Sequence, residues 1–197
     1  IREYVTVNFN QLSQVIDAIG GIDIEITKAE LKEINRIVIE MHDENPSIDG
    51  ETLDDYGLVH LTGAQATAFS RIRKIDSDNE RANRQQKVLM ALFDKCKNMP
   101  KTDYPGFIKE LLPLVKTSLD YGDIIGLAPI MLTSNLTIEQ NMIPDEQIDN
   151  PIGGTYNGAW VWRYDLDEAA DRLHEFIYED SLDALTGSSS DADDNDN

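Results

Sequence analysis

The sequence predicts one domain of mixed helices and strands, α/β or α+β, on three observations. Residues 22–26, Ile-Asp-Ile-Glu-Ile, alternate apolar and acidic side chains, the period-two pattern of a half-buried strand. Two boxes, Thr27 with Glu30 and Thr62 with Gln65, place a hydroxyl three residues before a Glu or Gln at the start of helical apolar spacing. Strand-like and helix-like stretches alternate along the chain, and no internal repeat interrupts them.

The elements follow in order. Residues 1–7 alternate β-prone side chains, Tyr4 and Thr6 against Val5 and Val7, and predict a strand. Asn10 is expected to cap a short helix carrying Leu12, Val15, Ile16 and Ile19, which Gly20 and Gly21 end. The strand at 22–26 and a helix from Thr27 to about Met41, with Leu31, Ile34, Ile37 and Val38 on one stripe, complete a β-α-β-α start. Residues 42–55 read as a loop broken by Pro46 and Gly50, and residues 58–61 as a short strand. Helices are expected through Phe69, over 79–98, over 104–118 with Phe107, Ile108, Leu111, Leu112 and Val115, and over 124–132. A strand over 138–143, a Gly/Asn/Tyr-rich loop ending in Trp160-Val161-Trp162, and a helix over 166–178 close the ordered part. The run SSSDADDNDN after Gly187 is too polar and acidic to bury a core and is expected to be disordered.

Composition narrows the function. The 197 residues carry a formal charge of -20 and a pI near 4.3, a field that repels nucleic acid and anionic membranes, so an anionic ligand needs a local basic site. A single cysteine, Cys96, excludes an internal disulfide, and without a Cys/His cluster it excludes a structural zinc site. No apolar run reaches the length of a membrane helix, and no signal peptide is visible. The chain opens without methionine, directly on a strand, and so reads as a fragment of a longer protein.

Against that acidic background six Lys or Arg lie within residues 71–87, SRIRKIDSDNERANRQQK being the surrounding stretch. If the chain is extended there, Arg71 and Arg73, two apart, point the same way. On the following helix Arg81, Gln85, Val88, Leu92 and Cys96 fall within roughly 80° on a helical wheel, so Arg81 and Gln85 continue the stripe that should face the core. Inward polar groups need partners, and an arginine fork suits phosphate, so four donors from two elements could clamp a diphosphate. The plain alternative is a solvated face, with Arg71, Arg73, Lys74, Arg84 and Lys87 paired loosely to surplus acids. Asp78, beside Ser77 and Glu80, has the equally plain reading of a helix cap.

The order of motifs also carries a resemblance. Leu61-Thr62-Gly63-x-Gln65-Ala66-x-Ala68-Phe69-Ser70-Arg71-Ile72-Arg73, then Asp78-x-x-Arg81-x-x-Arg84-Gln85, resembles the second half of the LytR-CpsA-Psr domain. Residues 4–9 and 16–23 are similar to the segment preceding it. The resemblance implies an α/β/α sandwich with a central mixed sheet, here lacking its N-terminal portion. It divides the chain into the C-terminal half of the catalytic domain (1–99), a helical remainder and extension (100–186) and an acidic tail (187–197).

By the same resemblance the activity is phosphotransfer. A glycopolymer, of wall teichoic acid or capsular polysaccharide type, moves from a polyisoprenyl pyrophosphate carrier to peptidoglycan with magnesium, on the outer face of the cytoplasmic membrane of Gram-positive bacteria. Arg71, Arg73, Arg81 and Gln85 match the family's pyrophosphate-binding positions, Arg81 and Asp78 its catalytic ones, and Asp78 is the acid that holds the arginines. For these residues the solvated-face reading recedes, whereas for Arg84, Lys74 and Lys87 it leads. The family's membrane helix, first strands, metal-holding carboxylates and a further arginine have no counterpart before Ile1, so no metal ligand is assigned here and this stretch alone is expected to be inactive. Two other functions stay open: a non-catalytic module binding polyprenyl phosphate or wall polymer, and a pyrophosphatase.

Other residues have a structural reading beside a functional one. Apolar side chains on helices 27–41 and 104–132 could line a lipid groove or simply form core. His42, His60 and His174 are scattered without ligand spacing, and Cys96 reads as a small buried hydrophobe. Tyr156, Trp160 and Trp162 could stack a sugar or pack the last helix.

Overall fold

A computed structural model describes residues 4–120, 122–124, 126, 139–145 and 147–186, except the side chains of 78 and 179–186. The chain forms two compact units, 1–136 and 137–197. The first unit runs β1 (Val5–Thr6), α1 (Phe9–Ala18), β2 (Ile22–Ile26), α2 (Lys28–Glu44), β3 (Gly57–Leu61), α3 (Gly63–Ser70), α4 (Asp78–Lys97), α5 (Tyr104–Leu111), a 3-10 turn (Leu112–Leu114) and β4 (Lys116–Thr117). The second holds β5 (Ile152–Tyr156), β6 (Ala159–Arg163) and α6 (Leu166–Thr186).

The α/β class expected from the sequence holds. The strands pair antiparallel, β1 with β4, β2 with β3 and β5 with β6, so the strands of the implied mixed sheet are joined only pairwise among the described residues. In β2 the isoleucines are buried and the acids exposed, as the alternation requires. The core gathers Ile16, Ile22, Ile34, Val38, Leu61, Phe69 and Val88 around α3, and each such side chain contributes about 1.5–3 kcal/mol by burial. Helix α3 is buried along its whole length between α1 and α2. Its small residues allow that close approach: the Gly63 N–H reaches Asp17 Oδ1 at 2.6 Å, and a Cβ at Gly63 would run into the Ser13 carbonyl.

Both Thr-x-x-Glu/Gln boxes form, with Thr27 and Thr62 at the caps. Several boundaries differ from expectation. Asn8, not Asn10, caps α1, because Asn8 and Gln11 satisfy each other's backbone N–H reciprocally. Helix α2 runs on to Glu44, and His42 donates to the Ile48 carbonyl at 2.6 Å from its last turn. The helix expected over 104–118 ends at Leu111, since Pro113 cannot continue the ladder; the chain tightens, extends, and pairs Thr117 with Val5. Described residues 139–143 form no strand. The presumed loop before Trp160 is a hairpin closed by Asn157-Gly158, both at positive φ (49° and 81°), the turn that matches strand twist. Helix α6 extends to Thr186. Most of the helix expected over 124–132, and all of the tail 187–197, lie outside the described residues.

Candidate anion site and apolar cavity

The basic stretch occupies the end of α3, the irregular segment 71–77 and the first turns of α4. Ser77 caps α4 through the Glu80 N–H at 3.3 Å, so Asp78 is the first helical residue rather than the cap. Arg71, at the C-cap of α3 with φ -95° and ψ -5°, is not extended. Arg71 and Arg73 still both face outward, because Ile72 between them is fully buried and acts as their anchor. The Arg71 guanidinium lies 5.8 Å from the centre of the Phe9 ring. Arg81 and Gln85 are half-buried on α4, as their position beside the apolar stripe predicts.

Arg84 corrects the sequence reading. Instead of joining a solvated face with Lys74 and Lys87, which are exposed, it is only 2% exposed. Its Nε donates to Glu30 Oε1 at 3.0 Å, one terminal nitrogen donates to the Ile72 carbonyl at 3.2 Å, and the other pairs with Asp76. Burial pushes the Glu30 carboxyl up, but hydrogen bonds from the Thr27 backbone, Arg84 and the Thr27 hydroxyl outweigh it and hold the group below the ordinary 4.5. Gln85 Nε2 makes a longer contact, 3.5 Å, to the Ser70 carbonyl. Helix α4 therefore abuts the backbone at residues 70–72 and brings Gln85 beside the segment that carries Arg71 and Arg73. The sequence did contain a sign of this: Arg84 sits one turn before Val88, which is 1% exposed.

The second half of α4 changes character. Leu89, Leu92, Phe93 and Cys96 join Val7, Leu12, Phe107 and Leu111 around an apolar cavity of about 450 Å³. On a helix rising 1.5 Å per residue, Leu92 stands about 16 Å from Arg81. Burial raises the Cys96 thiol pKa, which keeps it protonated and suits a small hydrophobe rather than a nucleophile. The apolar stripe of α2 (Ile34, Ile37, Val38, Met41) is plain core, so of the two stretches expected to line a groove it is 104–132 that lines the cavity, through Phe107, Ile108, Leu111, Leu112, Val115 and Ile124.

The remaining candidates have local partners. His60 Nδ1 lies 2.7 Å from Asp23 Oδ1, its cross-strand partner, and both are exposed. Trp160 and Trp162 share one face of the hairpin, rings 5.0 Å apart and edge to face, whereas the register turns Tyr156 to the opposite face, so the three do not form one platform. Among the described residues no cluster of His, Cys, Asp and Glu could hold a metal ion, and no helix is long and apolar enough to cross a membrane.

The model of the LytR_cpsA_psr family matches residues 1–176. The chain belongs to the LytR_cpsA_psr family. Among curated LytR_cpsA_psr relatives, the polyisoprenyl-teichoic acid–peptidoglycan teichoic acid transferase TagV of Bacillus subtilis (strain 168) is 33% identical over 113 residues, 52% of this chain and 25% of that protein. TagT of the same strain is 28% identical over 162 residues, 82% of this chain and 45% of that protein. The chain thus spans half or less of the length of these relatives. A solved structure described as TagT bound to LI-WTA superposes with a TM-score of 0.62 at 21% identity, covering 90% of this chain and 60% of that one. Another, YwtF (TagT) with bound octaprenyl pyrophosphate lipid, gives 0.53 at 20% identity, covering 87% and 58%. At these identities the structures establish the fold.

Proposed function

We propose that this chain binds the diphosphate and lipid of a polyisoprenyl pyrophosphate-linked glycopolymer and takes part in transferring the polymer to peptidoglycan in the cell envelope. The observation that carries the reading is helix α4, which begins with Arg81 and Gln85 beside the Arg71–Arg73 segment and ends in the wall of an apolar cavity. An amphiphile with a charged head and a prenyl tail matches that sequence of surfaces. The names of the relatives and the lipid held by YwtF support the same ligand class.

In this reading Arg71, Arg73, Arg81 and Gln85 donate hydrogen bonds to the non-bridging oxygens of the diphosphate, with Asp78 orienting the arginines. A peptidoglycan hydroxyl attacks the glycopolymer-linked phosphorus; the new O–P bond forms as the bridging P–O bond breaks, polyisoprenyl phosphate leaves, and the hydroxyl proton passes to the departing phosphate or to water. Charge neutralisation and positioning are what the protein supplies to such a step. Magnesium belongs to the proposal through the family, as does placement on the outer face of a Gram-positive membrane; with no metal cluster among the described residues, no step here is routed through the ion.

Titration calorimetry of geranylgeranyl pyrophosphate tests the site. Arg81→Ala should weaken binding by about 1–3 kcal/mol, the value of a charged hydrogen bond. Equal binding by the variant would return Arg81 to the surface. Binding that survives removal of magnesium would favour a non-catalytic module; inorganic phosphate release would favour a pyrophosphatase.

A further inference from the structure

Segment 71–77 has no regular secondary structure, yet it carries two outward-facing arginines within three residues. Two like charges so close repel, and long side chains on a loose backbone lose rotamer freedom when they meet a ligand. Something must hold the backbone if both guanidinium groups are to meet one diphosphate. The neighbouring contacts supply a chain of fixed groups. Glu30 is locked at the start of α2, where Oε2 accepts from the Thr27 N–H at 2.8 Å and the Thr27 hydroxyl at 2.9 Å. Its other oxygen fixes Arg84, and Arg84 in turn grips the segment on both sides of Arg73, at the Ile72 carbonyl and at Asp76.

We propose that Arg84, acting with Glu30 and Asp76, is the positioning residue that presents Arg71 and Arg73 to the diphosphate without touching it. Its guanidinium is enclosed and committed to two carboxylates and a carbonyl, so it has no open face for a ligand. Its single positive charge is more than matched by two acids, so the attraction for an anion comes from the exposed pair and not from Arg84. Lysine cannot replace it, because one ammonium does not match three acceptors on two separate segments as a planar fork does.

The inference rests on the diphosphate reading, and the test separates the two. Asp76 is partly exposed at 28% of its side chain, so Asp76→Asn loosens the grip without leaving a deeply buried charge. Geranylgeranyl pyrophosphate should bind about tenfold more weakly to Asp76→Asn, the loss of one charged hydrogen bond, while the urea midpoint of the chain stays close to that of the parent. Because Asp76 acts through Arg71 and Arg73, adding Asp76→Asn to the double variant Arg71→Ala/Arg73→Ala should weaken binding no further; independent contributions would multiply instead. Amide hydrogen exchange supplies a reading that needs no ligand: residues 72–76 should exchange faster in Asp76→Asn while α2 and α3 keep their protection. Unchanged exchange, or binding within twofold of the parent, overturns the positioning role. Failure of the parent chain to bind diphosphate overturns the ligand reading, and the exchange result then decides whether Arg84 and Asp76 still fix the segment.

Discussion

Arg84 in the first unit and Arg172 in the second each tie an irregular stretch to a helix, and they do it differently. Arg84 holds three acceptors on two chain segments and is 2% exposed. Arg172, on α6, closes a two-pronged pair with Asp149 alone, at 2.5 and 2.7 Å, with 18% of its side chain exposed. The first arrangement fixes a backbone path, and the second pins one turn. The charges around them differ as well: residues 137–197 hold 16 acids and two bases, against 21 and 15 in residues 1–136. The proposed diphosphate site falls in the first unit, where the bases are concentrated.

The largest test of this contrast is Arg84→Ala. It strands the Glu30 carboxylate and the Ile72 carbonyl in the core, and urea denaturation should lose about 3–5 kcal/mol. Arg172→Ala should give a smaller midpoint shift, and equal losses would erase the distinction. Next comes Gly63→Ala, whose new Cβ meets the Ser13 backbone; overpacking there should cost about 1–3 kcal/mol in the same measurement while leaving β5 and β6 spectroscopically unchanged.

Acid should affect both units in the same direction. The hydrogen bond from Arg172 depresses the Asp149 pKa, as the bonds around Glu30 depress that of Glu30. A depressed folded-state pKa contributes stability that is present above the unfolded value, about 4.5 for Glu30, and is lost as pH falls through the folded one. Denaturation followed from pH 6 downward should show that loss below pH 4.5, with a shallower slope in Glu30→Gln. The smallest effect belongs to an exposed arginine. Among the described residues Arg71→Ala removes a cation–ring contact with Phe9, about 0.5–1 kcal/mol, so stability should hardly move while diphosphate binding falls.

Much of this architecture was legible because it is local. Alternation at residues 22–26 and the boxes at Thr27 and Thr62 depend on neighbours within four residues, and they formed where expected. The Asn8–Gln11 cap and the Asn157-Gly158 turn were equally local, but Asn10 and the glycine-rich composition around the turn concealed them. At the candidate site Arg81 and Gln85 are half-buried where the wheel turned them inward, whereas Arg71 and Arg73 share a direction, as their spacing suggested, but face outward from a chain that is not extended at Arg71. For Arg84, spacing from Val88 hinted at burial but could not name the partners that permit it, because Glu30 lies 54 residues earlier and a wheel that ranks apolar side chains has no place for a guanidinium with distant partners.

The division of labour within the Glu30 carboxylate also bears on the order of folding. One oxygen closes a turn with Thr27, three residues away, a contact that forms as α2 nucleates. The other must wait for a residue 54 positions later, and bringing those ends together carries the entropy of a long loop. The early helix end is thus a template on which the arginine segment is assembled late, and mutations at Arg84 should speed unfolding more than they slow folding.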